Sequence, residues 1–410
     1  MANVFSETII TAIDIGTTKI CVLVAKKTGD DLEILGIGKS PSFGLKKGMV
    51  TDIAKTVQSI KAAVKEAELI SGHTIQSATV GISGSHIRAF NSHGAVPIKK
   101  GNRVRAHDIA SVIAAAKAIP ITEGQQILHV LPQFFSIDGQ ERIQDPMGMH
   151  GVRLEAQVHI ITGSIASAQN IIMCCQMAGI QVQDIVLEQL ASAYAVLSSD
   201  ERELGVSILD IGGGTSDFAI FQHGSIRHTM VLPIAGNHVT NDVAIGLQTT
   251  IREAERIKQM YGYASVDYLD IDQDLLIETA DGSNKQTVKQ SVLVNIIEQR
   301  VHEMLSLINQ EIATYKLAPY LATGLVITGG GALLKGVTDL AQTIFALPTR
   351  VGAPKTDHLL PESLNNPIYA TGYGLLLHAM KKEKTSITES NDPLVYRVFD
   401  RMKSWIGDFF

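Results

Sequence analysis

Between Ile9 and Gly38 the chain alternates short apolar runs with Gly/Thr and Gly/Asp turns, IITAIDI, KICVLVA and LEILGIG, a pattern that predicts an antiparallel three-strand meander. From Asp52 to Ile70 the period changes. Ile53, Val57, Ile60, Val64 and Ala67 recur near 3.6 residues with Gly72 just past the end, which predicts an amphipathic helix. SATVGIS then reads as a strand. Residues 85 to about 162 place the strand-like stretches HIRAF, ILHVL and EAQVHII around the alanine-rich helix IASVIAAAKAI, with a loop containing Asp145, Pro146 and Gly148; this reads as an inserted α/β subdomain. The main pattern resumes with a helix at IASAQNIIMCCQMAG, a strand at VQDIVL and a helix opening at Glu188.

At Leu204 the opening pattern returns. GVSILDIGGGTSDFAIF followed by SIRHTMVLPI is again strand, Gly/Thr turn, strand, strand, a weak internal duplication. A mostly polar and helical stretch is expected from about 237 to 320, then the strand LVITGGG, a helix from Ala332 and a last helix at YATGYGLLLHAM. KKEKTSITESND has too little apolar surface to offset the entropy of ordering it and reads as a flexible tether. About 12 such residues span roughly 20 Å on average.

Composition narrows the class. With 410 residues, 45% hydrophobic and 19% charged, the chain can bury more than one core. The formal net charge of −6 and the lack of any Lys/Arg block argue against nucleic acid as a partner. Cys21, Cys174 and Cys175 lack metal or redox spacing and are expected as reduced core thiols, which suits a cytosolic home. The N-terminus has no basic segment ahead of its apolar run, and no stretch has the length of a transmembrane helix, so a membrane would be met from its surface.

The candidate chemistry lies in the duplicated turns. Asp14-Ile15-Gly16-Thr17-Thr18-Lys19 and Asp210-Ile211-Gly212-Gly213-Gly214-Thr215 each end a strand with an acid and enter a glycine-containing turn. Glycines let successive backbone N–H groups face one concavity, a nest for phosphate oxygens. Thr17, Thr18 and Thr215 add hydroxyls, and Lys19 adds a charge if its side chain turns inward. Asp14 and Asp210, with Asp217 behind, are candidates to hold Mg²⁺ through its retained waters. A third cluster, Thr328-Gly329-Gly330-Gly331, ends another strand where a flat adenosine moiety could approach the backbone. Each turn alone is common hairpin chemistry; the succession of three carries the signal. Neither a Walker G-x-x-x-x-G-K-[ST] nor a Rossmann G-x-G-x-x-G after the first strand is present.

The last residues, PLVYRVFDRMKSWIGDFF, carry Leu394, Val395, Val398, Phe399, Met402, Trp405, Ile406, Phe409 and Phe410 in one stripe at helical spacing. A tethered terminal helix rich in Trp and Phe reads as a surface anchor for lipid, ahead of docking on the chain's own core or on a partner helix. Nine half-buried apolar side chains gain roughly 9 kcal/mol before comparable ordering costs, so one copy binds weakly and several together bind firmly.

The three turns resemble the actin, heat-shock chaperone and sugar-kinase superfamily, over the body from Ile9 to about Met380. GVRLEAQVHIITG, ERELGVSILDIGGGTSD and RHTMVLPIAGN, with the insertion and the tethered C-terminus, are similar to the FtsA family of bacterial cell-division proteins within it. The resemblance implies a two-lobed α/β actin-like ATPase fold with an inserted α/β subdomain in the first lobe and a C-terminal amphipathic helix, closing on Mg-ATP. It divides the chain into a first-lobe core (1–84 and 163–203), the insertion (85–162), a second-lobe core (204–236 and 319–364) and a small subdomain (237–318). A returning helix (365–380), the tether (381–392) and the membrane helix (393–410) complete it.

By the same resemblance Glu255 and Lys258 flank the base, the alternative being an ordinary solvated face. Glu188 stands where the superfamily places an acid that orients the attacking water, or it is a helix N-terminal carboxylate meeting the dipole. Arg300 and Glu303, one turn apart, resemble the family's site for the FtsZ C-terminal tail; a plain intrahelical ion pair is the alternative. The implied role is an ATP-binding protein that polymerises on the cytoplasmic face of the inner membrane at the division site, links FtsZ filaments to it and recruits later division proteins, with at most slow hydrolysis. An ATP phosphotransferase or chaperone-like ATPase is the other class the motifs allow.

Overall fold

The computed structural model describes residues 8–29, 31–98, 102–282, 284–355 and 361–385. Two five-stranded sheets share one topology. In the first, Gln181–Leu187, Ser77–Ile82, Thr8–Ile15, Lys19–Thr28 and Asp31–Pro41 lie in that order; in the second, Thr349–Val351, Leu325–Thr328, Val206–Ile211, Ser216–Gln222 and Ser225–Leu232. Each opens with an antiparallel hairpin and adds parallel strands on one side, Thr79 opposite Ala12 and Leu325 opposite Ser207. The internal duplication is therefore structural.

The meander and its covering helix form for the reasons the pattern gave. Helix Ile53–Ser71 is capped by the Asp52 carboxylate, which accepts from the Lys55 N–H at 3.0 Å, and it stops at Gly72, whose φ of 70° is left-handed. Its buried face carries Val57, Ile60, Val64 and Ala67, and full burial of a side chain the size of Val or Ile contributes about 1.5–3 kcal/mol.

Two helices, Glu188–Val196 and Ala370–Thr385, sit between the sheets. They join the core of the first sheet to Val206, Ile208, Ala219, Phe221, Ile226 and Val326 of the second. Gly374 makes their crossing possible, because a Cβ there would lie 1.8 Å from the Ala191 carbonyl oxygen. The alternate residues of the same second-sheet strands, Leu209, Ile211, Phe218 and Ile220, face a separate core with the helices of the small subdomain. Strand alternation thus turns Asp210 toward the two central helices.

The insertion has its own four-stranded sheet, ordered Arg88–Pro97, Arg153–Ser164, Gln125–Ile137, Gln140–Ile143. Helix Ala106–Lys117 is packed on it around Val112, Ile113, Phe135 and Leu154. The three cysteines are free and buried.

Three elements differ from expectation. The stretch from 237 contains a hairpin, Asp274–Glu278 with Lys285–Lys289, as well as helices; only Leu275 and Ile277 of its first strand are buried, too short an alternation to stand out in polar surroundings. The helix expected from Ala332 is a 3₁₀ turn, Gly330–Leu333, then a helix Val337–Phe345, because Gly336 takes a φ of 77° between them. The last helix continues through Lys381–Thr385, residues assigned to the tether, since Lys and Glu are good helix formers and extend it beyond its apolar part. The remainder of the tether and the helix at 393–410 lie outside the described residues. Among the described residues no helix is long and apolar enough to cross a membrane.

Candidate nucleotide site

The duplicated turns face each other across one cleft of about 500 Å³, a size usual for small-ligand sites. Asp14 to Lys19 line one wall and Asp210 to Thr215 the other, with Glu188 and Asp217 between them. The approach is close. A Cβ on Gly213 would lie 1.8 Å from Thr18 Oγ1, and one on Gly214 would lie 2.3 Å from Thr17 Oγ1. Hydrogen bonds fix each turn: Gly212 N–H donates to the Thr215 carbonyl at 2.9 Å, and Gly48 N–H donates to Thr17 Oγ1 at 3.2 Å. Thr18 Oγ1 donates to Asn237 Oδ1 at 3.2 Å, so its hydroxyl also ties the walls together.

Charge is distributed unevenly. Lys19 does turn inward, and its ammonium lies 3.0 Å from Asp14 Oδ2. Burial opposes the Lys19 charge, but the Asp14 carboxylate and its neighbours outweigh it and hold the ammonium above the ordinary lysine pKa. The second turn has hydroxyls instead. Asp210 Oδ2 accepts from Ser192 Oγ at 2.5 Å and Thr371 Oγ1 at 3.0 Å, and Asp217 Oδ1 accepts from Ser83 Oγ.

Burial pushes Asp210 upward, with Asp14 adding to it, and raises Asp217 to about 7 with help from Asp210. Burial, followed by Asp14, Asp217 and Asp210, drives Glu188 well above its ordinary value. A cluster of acids under such pressure is chemically suited to a divalent cation. Among the described residues no three His, Cys, Asp or Glu side chains converge closely enough to ligate one ion directly. A Mg²⁺ held by these acids would have to keep waters of its own, which is the habit of that ion.

At the other end of the cleft the third glycine cluster stands among apolar side chains. Gly329, Gly330 and Gly331 line it with Leu334, Val301 and Met304. Thr328 does not: it is fully buried beneath, and its hydroxyl donates to the Gly352 carbonyl at 2.8 Å. Glu255 and Lys258 both line the cleft, with Lys258 Nζ 2.7 Å from Glu255 Oε2 and 2.9 Å from Thr240 Oγ1. The Lys258 side chain is 15% exposed, so this segment is not an ordinary solvated face. Glu188 caps nothing at the protein surface; it opens its helix inside the cleft.

Arg300 and Glu303 lie outside the cleft, on helix Gln290–Thr314, whose Val301 and Met304 reach into it. Arg300 does pair with Glu303, and it also forks onto Asp242 at 2.5 and 3.1 Å. Sequence reasoning missed Ser83, Ser192, Thr371 and Asn237. Ser192 had one usable signal: it stands four residues after Glu188 in a largely apolar helix, on the same face.

Comparison with known proteins agrees with this architecture. A family model described as "Cell division protein FtsA" matches residues 207–374, and one described as "SHS2 domain inserted in FTSA" matches residues 84–162. Cell division protein FtsA of Pseudomonas aeruginosa is 43% identical over 418 aligned residues, covering 100% of both chains. That of Escherichia coli K12 is 35% identical over 421, again 100% of each, and that of Bacillus subtilis 38% over 374, covering 91% of this chain and 84% of its own.

Among solved structures, a PilM-PilN type IV pilus biogenesis complex superposes with a TM-score of 0.67 at 16% identity, covering 90% of this chain and 98% of that one. MreB5 of Spiroplasma citri bound to AMPPNP gives 0.55 at 14%, covering 92% and 97%. These two likenesses speak for the two-lobed actin-like fold. With relatives of such identity along its whole length and the two family models in their expected places, the chain belongs to the FtsA family of cell-division proteins.

Proposed function

We propose that the cleft binds Mg-ATP and that the protein polymerises on the cytoplasmic face of the inner membrane, anchoring FtsZ filaments there at the division site. The observation that carries the nucleotide reading is the meeting of the two glycine turns, Thr17 and Thr18 against Gly214 and Gly213, around one set of buried acids. Phosphates would rest on the N–H groups of residues 16–18 and 213–215, with Lys19 as an additional cation. Asp14, Asp210 and Asp217 would hold Mg²⁺ through its waters, where the ion would neutralise charge on the phosphates. Adenosine would lie along Gly329–Gly331, flanked by Glu255 and Lys258. Thr328 supports that strand end from below rather than touching the base.

Turnover is slow in this reading. Glu188 is the one acid of the cleft placed to orient a water. Burial, followed by Asp14, Asp217 and Asp210, raises its pKa above the ordinary value. ATP then serves to order the lobes for filament formation. The terminal stripe from Leu394 to Phe410 would attach the filament to lipid, many weak helices acting together. Arg300, held by Asp242 and paired with Glu303, would offer charge to the FtsZ tail, and the insertion would offer a separate surface to later division proteins.

Calorimetric titration with Mg-ATP tests the nucleotide reading, and absence of binding to the full chain rejects it. Co-sedimentation with vesicles tests the anchor: the full chain should pellet and a chain ending at Lys384 should stay in solution, whereas equal pelleting rejects it. Electron microscopy on a lipid monolayer with and without ATP tests filament formation.

A further inference from the structure

We propose that Ser83, Ser192 and Thr371 are positioning residues that hold Asp210 and Asp217 from across the cleft floor, in the orientation a nucleotide-bound divalent cation requires. The inference rests on the Mg-ATP reading above and extends it to residues outside the glycine motifs.

The acids and their holders come from different elements of the fold. Asp210 and Asp217 are cross-strand neighbours in the first hairpin of the second sheet. Ser83 directly follows strand Ser77–Ile82 of the first sheet. Ser192 lies on a central helix that packs against strands of both sheets, and Thr371 on the other, which packs against first-sheet strands. All three hydroxyls are buried, with Ser83 2%, Ser192 0% and Thr371 8% exposed. A buried hydroxyl without a partner is costly, so each is committed to its bond.

The bonds dictate direction as well as place. Ser192 Oγ and Thr371 Oγ1 both reach Asp210 Oδ2, and the two hydroxyls are 3.0 Å apart, so Oδ2 is held from two helices at once. Asp210 Oδ1 is left on the other side, against Gly329, where a Cβ would lie 2.2 Å from it and only glycine leaves room. Asp217 is treated alike, since Ser83 takes Oδ1. Ser83 also stands at the root of the insertion, one residue before the stretch matched by the inserted-domain model. The orientation of both acids therefore depends on the lobes holding their present relation. Remote groups that pre-set a site's geometry in this way act on affinity through orientation rather than contact.

The test is calorimetric titration of the full chain with ATP, with and without Mg²⁺, alongside thermal melts to confirm folding. In Ser192→Ala/Thr371→Val and in Ser83→Ala, the factor by which Mg²⁺ tightens ATP binding should fall about tenfold, the loss of one or two charge-assisted bonds. Metal-free ATP affinity should stay within about twofold, and Thr371→Ser, which keeps the hydroxyl, should retain the metal effect. If the double variant does not fold, Ser83→Ala carries the test with the same expectations. An undiminished metal effect in a folded variant, or equal losses with and without Mg²⁺, overturns the proposal. Absence of ATP binding to the wild-type chain would instead bring down the nucleotide reading, and this inference with it.

Discussion

The two phosphate turns share a strand, an acid and a glycine bend, yet they are electrostatically unlike. The first carries its own counterion, Lys19 at 3.0 Å from Asp14. In the second, Asp210 and Asp217 stand together on one hairpin with hydroxyl donors, and burial drives the pKa of both upward. The duplicated motif has thus diverged into a turn that carries a lysine beside its acid and a turn whose acids are held by hydroxyls. On the Mg-ATP reading proposed above, the cation would sit chiefly at the second turn.

Substituting the acids breaks the comparison most sharply. Asp210→Ala should weaken Mg-ATP binding about a hundredfold, near 3 kcal/mol, as expected when one member of a buried charged set is removed. Asp14→Ala frees Lys19 toward the phosphates and should cost about tenfold, so the two variants separate in one calorimetric series. Equal losses would mean that the walls share the metal evenly.

Steric changes come next. Gly213→Ala drives a methyl into Thr18 and should destabilise the fold by about 1–3 kcal/mol in a urea titration, with Thr18→Ala recovering part of it. Asp217 then sharpens the contrast through pH. Its folded pKa of about 7 lies above the ordinary 3.8, so the folded state keeps a proton that the unfolded chain releases. This group's stabilising contribution is complete below about pH 4 and is lost as pH rises toward 7. In Mg-free buffer the melting temperature of the wild type should fall relative to Asp217→Asn across that window, by roughly 4 °C or more. A parallel pair of profiles would show that Asp217 does not titrate there. The smallest effect is at the seam itself, where Thr18→Val removes the bond to Asn237 and should cost about 1 kcal/mol.

The two turns were legible because their chemistry is local: an acid at a strand end followed by glycines announces itself within six residues. The sheets were legible for the same reason, since Val206–Ile211 and Thr8–Ile15 are mostly apolar runs with the acid next to last. The holders of the acids were not. Thr371 meets Asp210 across 161 residues of chain, and nothing in YATGYG distinguishes a hydroxyl that caps a carboxylate from one that faces solvent. Thr328 erred in the opposite direction. It belongs to a glycine word, but strand alternation turns it away from the cleft. Spacing showed which segments carry chemistry; which side chain points inward depended on how two sheets and two helices pack.

A structure of the full chain with a non-hydrolysable ATP analogue and Mg²⁺ tests the central claim most directly. The phosphates should lie between residues 16–19 and 212–215, with the metal nearer Asp210 than Asp14. A nucleotide bound elsewhere, or one touching a single turn, would contradict it.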